Sequence, residues 1–310
     1  MLAIRPFCNS DVPRLAMLWV IHHAAFRSAP AVTATIWEQA IASRHFFLPE
    51  RLLVATWDNL PVAWCHWFPD PRRTACLTAF CFDTSTQGEM AAVQLLAATQ
   101  QRVVTAGMTT LVAGINPESR WGYQGLDPVG QGIGIDVADD RTNLLLEEAG
   151  FEELQRIDKW EVNTSDFRPP VNREALQLRR GTRIEQTAVT KMSPQESAAM
   201  FHLDIRRYLL IAPGGGVPLA TSDLWLSDPD VHVMTTHQAI LGDIEGLAED
   251  LPAREPAIRY LIASLVPMLA SRHVLTLHRS VPSDNHDEAS RMAALKFRRT
   301  AVGRLLRKQF

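Results

Sequence analysis

The stretch Asp140-Arg141-Thr142-Asn143-Leu144-Leu145-Leu146-Glu147-Glu148-Ala149-Gly150-Phe151 decides how the chain is read. Its leucines recur at helical spacing, Gly150 is placed to stop the helix, and Phe151 opens the strand that follows. The segment from His286 to Phe297 can be laid over it without a gap. It too is an amphipathic helix ending in a phenylalanine that starts a strand. Matching segments near the ends of two halves predict one supersecondary plan used twice.

Outward from the first copy, Ile4 to Phe7 reads as a short strand and Asn9-Ser10-Asp11 as the cap of a helix. The apolar face of that helix is Val12, Leu15, Ala16, Leu18 and Trp19. Arg51 to Trp57 and Val62 to Phe68 form a hairpin across the turn Asp58-Asn59, with Trp57, Trp64, Trp67 and Phe68 as its core. Thr74 to Phe82 is a third strand, running into the polar turn Asp83 to Gly88. A helix over about 89–105 stopped by Gly107, a strand over 109–115, the quoted helix and a strand through Val162 complete the half. Residues 163–174, with Asp166, Pro169 and Pro170, form the natural linker. The second half ends with a strand over 239–245, a helix over 256–271 that Pro267 can kink, a strand over 274–278, the repeated helix and a final strand over 297–306. The expectation is an α/β protein with two mixed-sheet modules, residues 1–165 and 175–310.

A length of 310 residues suits two such domains, and 46% hydrophobic with 21% charged residues is ordinary for a globular chain. A net charge of −3 gives no global field for nucleic acid or anionic lipid. The basic residues Lys296, Arg298, Arg299, Arg304, Arg307 and Lys308 read as a solvated last strand. The four cysteines include no CxxC pair, and Cys65, Cys76 and Cys81 read as small core residues. His232 and His237, like His273 and His278, stand an odd number of positions apart, which on a strand sends them to opposite faces. With His22-His23 they make no zinc pattern, so no metal is expected. No signal-type apolar region and no run of membrane-span length occurs, which points to a cytoplasmic protein without a membrane partner.

The order of elements resembles the GNAT superfamily of N-acetyltransferases through most of residues 1–165, and more faintly over about 220–310. In that family a Gln/Arg-x-x-Gly-x-Gly/Ala turn holds the pyrophosphate of acetyl-CoA on backbone amides at a helix start. Gln87-Gly88-Glu89-Met90-Ala91-Ala92 falls at that place; Gln87 and Ala92 fit, and Met90 stands for the middle glycine. The resemblance therefore implies acetyl-CoA as acyl donor, held by Phe82, Gln87, Gly88, Met90, Ala91 and Ala92. It also implies a carboxylate on or after the bordering strands to take the amine's proton, with Asp83 and Glu245 as candidates beside Asp243. The family's late helix commonly carries a tyrosine that protonates the departing thiolate. Leu146 and Met292 occupy that position in the two halves, Lys296 replaces the second half's glycine, and Arg254 to Ile258 offers no glycine at its phosphate turn.

The activity implied is acetyl transfer to a small-molecule or peptide amine. The alternative is a non-catalytic tandem module that binds acyl-CoA or a protein partner, for which Met90, Leu146 and Met292 are the sequence argument. A third reading uses Val129-Gly130-Gln131-Gly132-Ile133-Gly134 as a phosphate loop. No long helix follows it at once and the preceding Ser119 to Pro128 is loop-like, so it reads better as a surface loop beside the cleft. Pro213 to Pro218 reads as a flexible connection.

Overall fold

Asp58 and Asn59 take φ of 49° and 68°, the left-handed pair that a two-residue hairpin turn demands. In a computed structural model, every residue is described except Phe46, Pro71, Ser119–Gly122, Thr190, Lys191 and His232, together with the side chains of Gln195 and Leu251. His232 and the start of the 119–128 loop thus lie outside the described residues.

The first part of the chain runs β1 (Leu2–Pro6), α1 (Val12–Ala24), α2 (Ala34–Trp37), β2 (Leu52–Trp57), β3 (Leu60–Asp70) and β4 (Thr74–Phe82). It continues through α3 (Thr86–Thr105), β5 (Thr110–Ala113), β6 (Ile135–Asp136), α4 (Asp140–Glu148) and β7 (Glu152–Asn163). Then come α5 (Arg173–Gly181), β8 (Arg183–Ala188), α6 (Pro194–Met200), β9 (Leu203–Ile211), β10 (Ala220–Ser227) and β11 (Gln238–Gly246). The chain closes with α7 (Leu251–Ser271), β12 (Thr276–Pro282), α8 (His286–Ala294) and β13 (Arg298–Gln309). The architecture is mixed α/β. Helix α3 starts earlier than the apolar pattern suggests because Ser85 caps it, its side chain accepting from Gly88 N–H. Helix α7 also starts earlier, with proline in its first turn, where a missing N–H costs nothing.

The chain divides into two compact units. One comprises Met1–Asp158, Gln195–Met200 and Ala301–Phe310, and the other Lys159–Pro194 with Phe201–Thr300. This differs from the 1–165 and 175–310 segments read from sequence, because a strand's apolar pattern does not name its partner. Within the first unit the strand order is β1-β2-β3-β4-β5-β13. The final strand, β13, lies antiparallel to β5 from Leu306↔Ala113 to Gln309↔Thr110. Leu306 is buried in the first unit's core with Leu53, Leu77, Leu95 and Leu111. Of the C-terminal basic residues, Lys296, Arg298 and Arg299 are exposed, whereas Arg304 and Lys308 are partly buried and tied down. Arg304 meets Glu147 at 2.8 Å, and Lys308 donates to Ala149 O at 2.6 Å.

Within the second unit the order is β12-β11-β10-β9-β8. The far end of β7 belongs here: Val162 joins the core of Leu224, Leu261, Leu277 and Met292, and Thr164 N–H donates to Leu275 O at 2.9 Å.

The two halves repeat in detail. Asp139 caps α4 with φ −84° and ψ 70°, and Asn285 caps α8 with φ −83° and ψ 76°. Each helix has nine residues, and each ends ahead of a left-handed residue, Gly150 at φ 83° and Lys296 at φ 65°. Phe151 and Phe297 are then buried, as the overlay of the two segments predicts.

Candidate functional site

In the first unit β4 pairs in parallel with β5 only from Thr74↔Thr110 to Leu77↔Ala113. Beyond Leu77 the fourth strand runs on to Phe82 without that partner, so its edge amides must bond elsewhere. The divergence begins at a β-bulge: His66 faces Ala79 and Trp67 faces Leu77, leaving Thr78 as the extra residue. Thr78 Oγ1 donates to His66 O at 3.0 Å. The second unit repeats this. Its β11–β12 pairing ends at Ile240↔His278, and Gly242 and Asp243 on β11 bulge opposite Asp223.

What fills each divergence comes from the chain itself. In the first unit Phe82 N–H donates to His22 Nδ1 at 3.4 Å. With that nitrogen accepting, the proton sits on Nε2, which donates to Asp139 Oδ2 at 3.0 Å. Burial alone would raise the Asp139 carboxyl, but the hydrogen bonds from His22 and Thr142 hold it below the usual range. Arg141 Nη2 donates to Asp83 O at 2.6 Å while its guanidinium lies 4.2 Å from the Phe82 ring centre. In the second unit Arg279 plays this part, donating to Leu241 O at 3.1 Å, to Gly242 O, and to Glu288 at 2.7 Å.

His22, Phe26, Thr78, Phe80, Ile133 and Asp139 line a cavity of about 30 Å³ at the first divergence. That holds about a single water by volume. The Gly-rich segment is part of its wall rather than a phosphate loop: Val129–Gln131 is a single 3₁₀ turn, and Gly134 N–H donates to Ile115 O at 2.8 Å. Gly134 has φ 78°, and a Cβ there would stand 2.3 Å from Arg304 O, so close packing explains this glycine.

The residues predicted for acetyl-CoA divide by position. Glu89 N–H bonds to Ser85 O, so from Glu89 onward the amides belong to the helix ladder. Gly88 N–H goes to Ser85 Oγ at 3.2 Å, and a Cβ on Gly88 would stand 2.4 Å from Asp83 O. Thr86 and Gln87 precede the ladder, leaving their N–H groups at the positive end of α3. Ala91 and Ala92 are in the core, Met90 is 54% exposed, and Phe82 is buried.

Asp83 and Glu245 fall in different units. The Asp83 carboxylate accepts Arg14 at 3.0 Å and Ser85 N–H at 3.1 Å. Glu245 is exposed on β11 opposite Thr221. The two tyrosine-equivalent positions are fully buried: Leu146 lies in the first core and Met292 in the second.

The His22–Asp139 pair is what sequence reasoning missed, since 117 positions separate its members. The only hint is that Asp139 precedes the repeated helix. Other buried polar groups nearby are structural. His23 Nδ1 bonds to Trp19 O at 2.7 Å, and His66 Nδ1 bonds to the Tyr123 hydroxyl at 2.9 Å. Burial, helped on His66 by the charge of Arg51, takes both down to about 3. Burial likewise pushes the Cys65 and Cys76 thiols up to about 12, which makes them poor nucleophiles. Among the described residues no group of three or more His, Cys, Asp or Glu could hold a metal ion, and no helix is long and apolar enough to cross a membrane.

No protein-family model matches the sequence, and no curated protein does. Solved structures do. A tandem GNAT protein from the clavulanic acid biosynthesis pathway, solved without AcCoA, is similar over 100% of this chain and 98% of its own, with a TM-score of 0.71 and 12% identity. A GCN5-related N-acetyltransferase from Sphaerobacter thermophilus matches over 99% and 95%, with a TM-score of 0.67 and 12% identity. The glucosamine N-acetyltransferase region of a fungal multi-domain GH3 beta-N-acetylglucosaminidase matches 99% of this chain and 38% of that one, with a TM-score of 0.69 and 11% identity. Such identities speak for architecture: the chain has the fold of a tandem GNAT protein, two GNAT-like modules in one polypeptide.

Proposed function

We propose that the chain binds acetyl-CoA and transfers its acyl group to an amine, with the first unit as the working half. The observation that carries this reading is the divergence of β4 from β5 beside a helix start with free amides. The N–H groups of Thr86 and Gln87 would hold the pyrophosphate, and the thioester would lie along the stretch of β4 beyond Leu77 that has no β5 partner. Bound there, the donor supplies an activated acyl carbon, and an oriented amine needs little more than positioning and a route for its proton. We assign that proton to His22, held by Asp139, ahead of Asp83, whose carboxylate already accepts Arg14 and Ser85, and ahead of Glu245 in the other unit.

A second reading has its own support. The cavity of about 30 Å³ and the burial of Leu146 favour a module that binds acyl-CoA without turning it over. Calorimetric titration with acetyl-CoA, followed by thiol release across a panel of amines, separates the two. Gln87→Pro removes one free amide in a helical turn that tolerates proline, and should weaken binding. Asp139→Asn should lower turnover while leaving binding in place. Binding without thiol release supports the second reading; no binding at all removes both.

A further inference from the structure

A second void, in the second unit, is lined by none of the residues at the β11–β12 divergence. It is a cavity of about 310 Å³ between α5 with its leading segment and the outer face of α7. Its walls are two helix stripes. Asn172, Ala175, Leu176 and Arg179 recur at helical spacing on one side, and Pro256, Arg259, Tyr260, Ala263 and Pro267 on the other. Two such faces ordinarily close against each other at interior packing density. Here they stand apart by a volume at the lower end of small-molecule sites, which span about 300–1,000 Å³.

The uncovered surface is apolar where it is deepest in carbon and cationic where it is polar. Val171 is 82% exposed and Leu176 43% exposed, and both line this cavity. Arg179 and Arg259 line the cavity with Glu174 as the single acid among the lining residues, leaving the wall net positive. Arg179 has no ion pair among the described residues. Arg259 shares Glu255 at 3.3 Å with Arg291, which holds the same carboxylate more closely at 2.7 Å. Pro267 has no N–H, so the Ala263 carbonyl on the wall lacks its ladder donor. A ligand that suits the apolar wall and the two arginines has an apolar body and one anionic head, with the Ala263 carbonyl left to water.

We propose that this cavity is a binding site for a small amphipathic monocarboxylate, its chain against Val171, Leu176, Pro267 and Leu295 and its carboxylate at Arg179 and Arg259. The site is separate from the acyl-transfer reading and stands or falls without it. Sodium decanoate, below its micellar concentration, is the probe, with decyltrimethylammonium as the opposite-charge control, both by calorimetry on the whole chain. Decanoate should bind saturably and the ammonium at least about tenfold more weakly. Arg179→Ala should weaken decanoate about tenfold, the scale of losing a hydrogen bond to a charged group. Ala175→Trp, which fills the cavity from a half-exposed helix position, should abolish binding with the thermal midpoint retained. No saturable decanoate binding, equal binding of both probes, or binding that survives both substitutions would overturn the proposal.

Discussion

Lowering the pH from 7 to 5 is expected to cost the first unit about 4 kcal/mol, because two of its histidines are held neutral by burial. His23 and His66 are pushed down to about 3, each fully enclosed. In the unfolded chain they titrate near 6.5. Below that value the unfolded state binds two protons that the folded state refuses, so stability is full above about pH 6.5 and falls as pH drops toward 3. A proton bound only by the unfolded chain costs about 1.4 kcal/mol per pH unit below 6.5, which gives about 1.9 kcal/mol for each histidine between pH 7 and 5. Urea unfolding followed by tryptophan emission at pH 7, 6 and 5 would measure it. That signal weights the first unit, which contains Trp19, Trp37, Trp57, Trp64 and Trp67. His23→Gln and His66→Gln should each remove about half of the pH dependence, whatever they do to stability at pH 7. A slope unchanged in both variants would show that other groups set it, and the reasoning would fail.

Leu146→Tyr would place a phenol at the family's acid position, but Leu146 is fully buried in a packed core. The substitution should lower the urea midpoint by an amount worth about 1–3 kcal/mol, the usual cost of overpacking. In the second unit Arg207 grips Asp223 with two bonds of 2.6 and 2.8 Å, and Asp223 is 3% exposed. Arg207→Met should cost about 3–5 kcal/mol by stranding that carboxylate, and adding Asp223→Leu should recover most of the loss in a denaturant titration.

What the sequence made legible was local. The hairpin turn at Asp58-Asn59, the bounds of β4 and the repeated helix with its phenylalanine each follow from residues within about a dozen positions of one another. The partner of β13 did not, since its alternating pattern would satisfy an edge in either half. The candidate site was legible only in part for the same reason. Gln87 and Gly88 could be found because a turn before a helix is a local signal, yet which amides stay free depended on Ser85 capping α3. The His22–Asp139 pair and the arginines in the two divergences arise from long-range packing that neither periodicity nor spacing encodes.

The place of β13 sets an order of events in the cell. The first unit is complete only when Ala301–Phe310 has been made and laid along β5. About 140 residues, Lys159 to Thr300, must leave the ribosome in between. At about 5–20 residues per second that delay is roughly 7–30 s. Through that interval Thr110–Ala113 presents an unfilled strand edge, and Leu306 is missing from the core it completes. A chain cut anywhere between Asn163 and Ala301 should therefore expose that edge and aggregate more readily than one that includes β13.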